Sequence, residues 1–139
     1  MSKTRLELIY QVLDNLGVMV PGQSPTAEIV EKVDGRLDPA LSMFAALEIV
    51  YVADAGTASP PVDGDIDDAI FLPLADMLAQ ECAAGFSLAG EPSLKALAVI
   101  AEEKLRVIGR PAKTRKLLTT DAQLRGVRHR GHYNVYSDR

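Results

Sequence analysis

The chain has 139 residues, 47% of them hydrophobic and 24% charged, which fits one globular domain and is too short for two sizeable cores. Three Phe, four Tyr and no Trp leave the core to aliphatic side chains, and the single cysteine, Cys82, excludes an internal disulfide framework. The net charge of −4 hides an asymmetry: residues 1–103 hold 5 Lys/Arg against 17 Asp/Glu, whereas residues 104–139 hold 10 against 2. An acidic body therefore ends in a basic arm suited to an acidic partner.

The first helix is expected from Thr4, with Glu7 three residues on completing a capping box. Leu6, Ile9, Tyr10, Leu13 and Leu16 form its predicted apolar stripe, and Gly17 sits where a left-handed residue would end it. Met1-Ser2-Lys3-Thr4-Arg5 leads into this charged helix rather than into an apolar signal region, so the expectation is a protein made and kept in the cytoplasm or built into something assembled there. Ser24-Pro25 reads as N-cap and first helical position of a second helix carrying Ile29, Val30 and Val33. Asp34-Gly35 weakens that helix, and Asp38-Pro39 offers a restart with Leu41, Phe44, Ala45 and Leu47. One kinked helix and two short ones are both compatible with this pattern. Ile49-Val50-Tyr51-Val52 is β-branched enough for a short extended segment, and residues 53–65 read as an exposed loop.

Residues 66–108 read as a helical hairpin on which the rest packs. Phe71, Leu74, Ala75, Leu78 and Cys82 share one face of its first helix; Leu94, Leu97, Ala98, Ala101, Leu105 and Ile108 share one face of its second. Gly85 and Glu91-Pro92 punctuate the turn, Gly109 ends the second helix, and Pro73 is tolerable if the first helix starts near 68–70. Glu91 with Lys95 and Glu102 with Arg106 are spaced for ion pairs along the helix. No uninterrupted apolar run approaches the roughly 20 residues that span a bilayer. From Arg110 on, basic residues outnumber apolar ones too heavily for a self-supporting core, which predicts an arm that orders on a partner. The expected architecture is all-α: a small bundle of about four helices, residues 1–109, with a long extended C-terminal arm, residues 110–139.

Catalytic signatures are weak. Asp63-Gly64-Asp65-Ile66-Asp67-Asp68 starts like a calcium loop, but Asp68 and Leu74 stand where Gly and Glu are required, so it reads as an acidic helix start capped by Asp65 or Asp67. His129 and His132 flank Gly131 and lack neighbouring ligands. Asp76, Glu81 and Glu91 have no spacing specific to glycoside hydrolysis. Buried Cys82 reads as an inert core thiol. A non-enzyme without cofactor or metal is expected. In the arm, Arg125, Arg128 and Arg130 beside Tyr133 and Tyr136 suit either phosphate contacts with base stacking or a protein edge. The alternation Tyr133-Asn134-Val135-Tyr136 favours adding a strand to a partner's sheet.

The order of parts resembles a known family. Leu16-Gly17 and Gly22-Gln23 precede a second helix, and Ile49–Val52 leads to an acidic loop. The run Asp68-Ala69-Ile70-Phe71-Leu72-Pro73-Leu74-Ala75-Asp76-Met77-Leu78-Ala79, then Gly85-Phe86, and a last helix reaching Glu102-Glu103-Lys104-Leu105-Arg106 complete the pattern. This layout, over roughly residues 5–108, resembles the head-to-tail adaptor (connector) proteins of short-tailed bacteriophages. The resemblance implies a structural virion protein at the neck: a homo-oligomeric ring, of twelve copies in that family, seated under the portal protein. Such a ring seals the packaged head, lets DNA pass and receives the tail nozzle or tail proteins. It implies a portal-binding arm carrying Arg125, Arg128, Arg130, Tyr133, Val135 and Tyr136, and a tail-side or inter-subunit loop carrying Asp54, Asp63 and Asp65. No residues support the lytic activity suggested for some relatives, and no membrane partner is expected. The alternative is a small nucleic-acid-binding regulator that uses the basic tail.

Overall fold

The computed structural model describes residues 2–110. It is mostly helical: four α-helices and one two-stranded sheet. In chain order these are β1 (Ser2–Thr4), α1 (Arg5–Asn15), α2 (Ala27–Ala46), β2 (Asp63–Asp67), α3 (Asp68–Cys82) and α4 (Pro92–Ile108), with a 3-10 turn (Ala83–Phe86) extending α3. The basic arm beyond Arg110 lies outside the described residues.

α1 starts on the expected capping box: the Thr4 hydroxyl accepts from the Glu7 amide at 3.1 Å, and the Thr4 amide donates to Glu7 Oε2 at 2.9 Å. That backbone donor, helped by Lys3, holds the Glu7 carboxyl below its usual range. The buried face differs from the expected stripe. Leu8 and Val12 join Ile9, Leu13 and Leu16 inside, while Tyr10 is exposed and Leu6 half-buried. Leu8, Ile9, Val12, Leu13 and Leu16 make a second apolar face at helical spacing, and Arg5, the first residue of the helix, is buried on that same face.

α2 is one helix of 20 residues that runs through Gly35, Asp38 and Pro39. Its N-cap is Thr26, so Ser24-Pro25 precedes the helix instead of opening it. Val33, Leu37, Ala40 and Phe44 are its buried face, and Leu47 lies outside it and exposed. Ile49–Val52 forms no strand, although Ile49 is buried.

Three helical segments close in the same way. The amides of Val18, Ile49 and Leu88 reach back to the carbonyls of Leu13, Phe44 and Ala83 at 3.3, 2.9 and 2.9 Å. The residue before each of them is left-handed: Gly17 at φ +69°, Glu48 at +55° and Ser87 at +62°. This is the Schellman closure. Only Gly17 announces it in the sequence, since Glu48 and Ser87 carry a Cβ in that region.

The acidic segment 53–65 is mostly exposed, as expected, but is tied to the body at Ala55 and through β2. β2 pairs antiparallel with β1, Ser2 opposite Asp67 and Lys3 opposite Ile66, with an irregularity between Lys3 and Thr4. Ile66 is fully buried, Ala55 joins the core, and the Asp65 amide donates to the Asp54 carbonyl at 2.6 Å. A Cβ on Gly64 would stand 2.5 Å from the Ala55 carbonyl oxygen, so the two backbones meet where only glycine fits. Asp67 is the N-cap residue of α3, but its side chain makes no capping bond. The carboxylate capping expected there is absent because strand pairing places the chain.

α3 touches α1, α2, α4 and both strands, and packs most extensively on α4. Leu74, Ala75, Met77, Leu78, Ala79 and Cys82 are buried along it. Asp68–Phe86 is also long and apolar enough to cross a bilayer by length and composition, with a mean hydropathy of 1.2. Asp68, Asp76 and Glu81 interrupt it, so it is no uninterrupted apolar run; here this segment is the core helix. Its C-terminal carbonyls take donors from α2. Lys32 Nζ donates to Gly85 O and lies 4.8 Å from the Phe86 ring centroid, while Arg36 Nη1 donates to Glu81 O at 3.3 Å. Two cations from a neighbouring helix thus answer the negative end of α3, which has no basic residue in its own last turn.

Substituting Gly64→Ala is expected to destabilise the protein by about 1–3 kcal/mol, since the obstacle is backbone. Glu48→Gly should stabilise it by about 1 kcal/mol by relieving a left-handed side-chain residue. Urea unfolding midpoints of the two variants measure both changes.

Candidate interaction surface

α4 has one helical neighbour. Leu94, Ala101 and Leu105 are buried, with Ala98 half-buried beside them, and α4 contacts no element other than α3 among the described residues. Its outer face keeps Leu97 (46% exposed), Ile100 (49%), Val107 (56%) and Ile108 (45%) in solvent. Leu97 and Ile108 were expected in the core. They are not, because α3 covers only the Leu94–Ala98–Ala101–Leu105 strip. At helical spacing Leu97, Ile100, Val107 and Ile108 lie on one side, with Lys104 among them, so apolar side chains of α4 extend beyond what one partner covers.

Where α4 ends, a groove of about 720 Å³ opens between its last turn, the segment after α2 and the start of α3. Its apolar lining includes Ile49, Val50, Ile70, Leu105 and Ile108; Glu48, Asp65 and Asp67 add carboxylates, all three exposed. Tyr51, 78% exposed, stands beside them. Arg106 on its wall is paired to Glu102, with Nη2 2.9 Å from Oε1, and also donates to the Leu47 carbonyl at 3.4 Å. Of the two ion pairs expected on α4 this one forms, whereas Glu91 accepts from the Ser93 hydroxyl at 3.1 Å.

On another side lies the most heavily bonded charge. Arg5 is 6% exposed. Nε donates to Asp34 Oδ1 at 2.6 Å, and Nη1 and Nη2 donate to Asp38 Oδ1 and Oδ2 at 2.7 and 3.0 Å. The remaining donors reach the Asp34 and Gly56 carbonyls at 3.2 and 3.4 Å. Burial alone would lower the Arg5 pKa, but hydrogen bonds to Asp38 and Asp34 and their charges leave it raised. In return the Arg5 guanidinium holds the Asp38 carboxyl below its usual range, against the desolvation that would raise it. One side chain thus joins α1, α2 and the 53–62 loop.

The expected loop residues separate. Asp54 is exposed, and its carboxylate accepts from the Gly56 amide at 2.8 Å, which makes it a turn former. Asp63 is opposite Thr4 in the sheet, and its side chain lies outside the description. Asp65 belongs to the groove. Arg125, Arg128, Arg130, Tyr133, Val135 and Tyr136, with His129 and His132, all lie outside the described residues. The three carboxylates weighed for hydrolysis have separate surroundings. Asp76 accepts from Asn15 Nδ2 at 2.9 Å and is pushed up by burial, partly countered by Lys104; Glu81 is exposed; Glu91 stands at the N-cap position of α4 without a side-chain capping bond. Burial likewise pushes up the thiol of Cys82. No group of three or more potential metal ligands occurs among the described residues. Sequence reasoning missed Arg5, because an arginine in the first turn of an amphipathic helix reads as solvated. It missed the groove because Glu48, Asp65 and Ile108 are distant in the chain.

No family model, curated protein or solved structure significantly matches this chain.

Arg5→Met is expected to cost about 1–3 kcal/mol, since the two carboxylates it leaves can still reach water. With its folded pKa depressed, Asp38 contributes stability above its unfolded value of about 3.9 and loses it as pH falls through the folded value. Stability measured by urea unfolding should therefore decline in acid more steeply in the natural chain than in Arg5→Met. Cys82 should resist an aromatic disulfide reagent until the protein unfolds, read as thiol release with and without denaturant.

Proposed function

We infer that this protein is a structural head-to-tail adaptor of a tailed-phage virion, non-enzymatic, forming a ring under the portal that seals the head and connects the tail. The outer face of α4 carries this reading. It is an apolar strip on an otherwise acidic body, on the helix from whose end the basic arm departs. A face of that kind suits burial against another protein chain. An acidic body and a basic arm on every copy provide a heterologous contact, the type that closes into a ring. Repetition around the ring multiplies a weak arm contact into strong attachment. The order of helices and loops resembling the short-tailed phage adaptors supports the same reading. In it, Arg125 to Tyr136 dock on the portal, tail nozzle or tail proteins take the opposite side, and packaged DNA passes through the ring.

The alternative, a regulator that grips nucleic acid through the basic arm, rests on the arm's ten Lys/Arg against two Asp/Glu over residues 104–139. The same experiment separates the two. Purified protein is mixed with the portal encoded beside it and imaged by electron microscopy. The expected result is a ring of added density with the portal's symmetry, lost on deleting residues 121–139 while the truncated body keeps its melting temperature. Bare portals at micromolar protein, together with duplex-DNA affinity that falls steeply with salt, about 0.9 log units per tenfold salt for each phosphate contacted, would replace the adaptor reading with the regulator.

A further inference from the structure

We propose that the groove at the end of α4 is the docking site for this chain's own segment 113–118, Lys-Thr-Arg-Lys-Leu-Leu, so that the root of the arm is held on the body that carries it. This inference does not depend on the adaptor reading.

Three observations converge on that occupant. The first is where the chain stands when it leaves the described structure. Gly109 and Arg110 themselves line the groove, so the segment starts on its rim. Leu117 is seven residues further on, a reach of up to about 24 Å for extended chain, so the segment can fold back without disturbing α4. The second is chemical match. The groove sets apolar Val50, Ile70 and Ile108 beside carboxylates of Glu48, Asp65 and Asp67. The segment sets Leu117 and Leu118 behind Lys113, Arg115 and Lys116, with no acidic residue among them. The third is that the cations already at the groove leave those carboxylates unanswered: Arg106 is engaged by Glu102 and the Leu47 carbonyl, and Arg110, where the described chain ends, makes no ion pair with them. A volume of about 720 Å³ lies within the range of peptide-sized and ligand-sized clefts, about 300–1,000 Å³.

Docking has a geometric consequence. Ile108, 45% exposed and apolar, gains cover from Leu117 or Leu118. The more distal arm then departs from a fixed point on the body, and the chain length that must be positioned on any partner is shortened. Holding the root in advance lowers the ordering entropy of later binding by the distal arm.

Limited trypsin digestion of the full chain, followed by mass spectrometry, tests this directly, because the segment contains three cleavage sites. When opening is fast relative to cleavage, the cutting rate follows the population of the undocked form. Cleavage after Lys113 and Arg115 is expected to be about tenfold slower in the natural chain than in either of two variants, with the distal sites at Arg125 and Arg128 cut equally in all three. One variant is Leu117→Ser with Leu118→Ser. The other is Asp65→Asn with Asp67→Asn, which keeps an N-cap side chain at the start of α3. Protection should be unchanged on tenfold dilution. Equal rates in the natural chain and both variants would overturn the proposal. Protection that disappears on dilution would assign the groove to a second copy's segment and overturn it equally.

Discussion

The buried guanidinium of Arg5 is the constraint on which the arrangement of the body depends. A charge that is 6% exposed is tolerable only if its donors are answered, and here they reach two carboxylates of α2, the Asp34 carbonyl and the Gly56 carbonyl. The burial of Arg5 is consistent with the rotation of α1 in which Leu8 and Val12 face inward and Tyr10 faces out. It also sets α2 against the start of α1 at Asp34 and Asp38, on either side of the backbone that Gly35 and Pro39 weaken. A helix that local propensity would divide is held continuous by a partner from outside it. The loop that follows is drawn in by the same side chain. No buried side-chain polar atom is left without a partner among the described residues, as a body built around such a charge requires.

α3 then acts as the hub, and α4 as an attachment to it. α3 contacts every other helix and both strands, and most of its apolar side chains are buried, with Leu72 left exposed. α4 spends one strip on α3 and keeps a second strip in solvent, with the groove at its C-terminal end. The acidic side chains are distributed differently from a catalytic site. Asp34 and Asp38 serve Arg5, Asp54 makes a turn, Asp76 meets Asn15, and Glu102 meets Arg106. Three further exposed carboxylates, Glu48, Asp65 and Asp67, line the groove. Carboxylates and apolar side chains thus lie together near the point where the basic arm departs.

Much of the helical content was legible in the chain. The Thr4–Glu7 box, the Gly17 closure, the α3 face through Leu74, Ala75, Leu78 and Cys82, and the turn punctuated by Glu91-Pro92 all follow from local signals. They do so because capping bonds, proline's missing donor and a 3.6-residue apolar period act within one turn of backbone. The acidic loop shows the limit of that reading. Its composition suggested exposure, and most of residues 53–62 are exposed; what it did not show is that Ala55 is buried and that Gly64 passes against it beside the buried Ile66, which exists only once β1 and β2 have met.

The sequence by itself determined a small, mostly helical body, its acid–base asymmetry and the position of most helix ends. Only the tertiary structure decided that Arg5 is buried, that α2 runs unbroken through Pro39, that Glu48 and Ser87 take left-handed turns, and that Leu97 and Ile108 remain outside. Each of these depends on which surface a residue meets across the fold, and energies of that kind arise from neighbours distant in the chain, which no local pattern encodes.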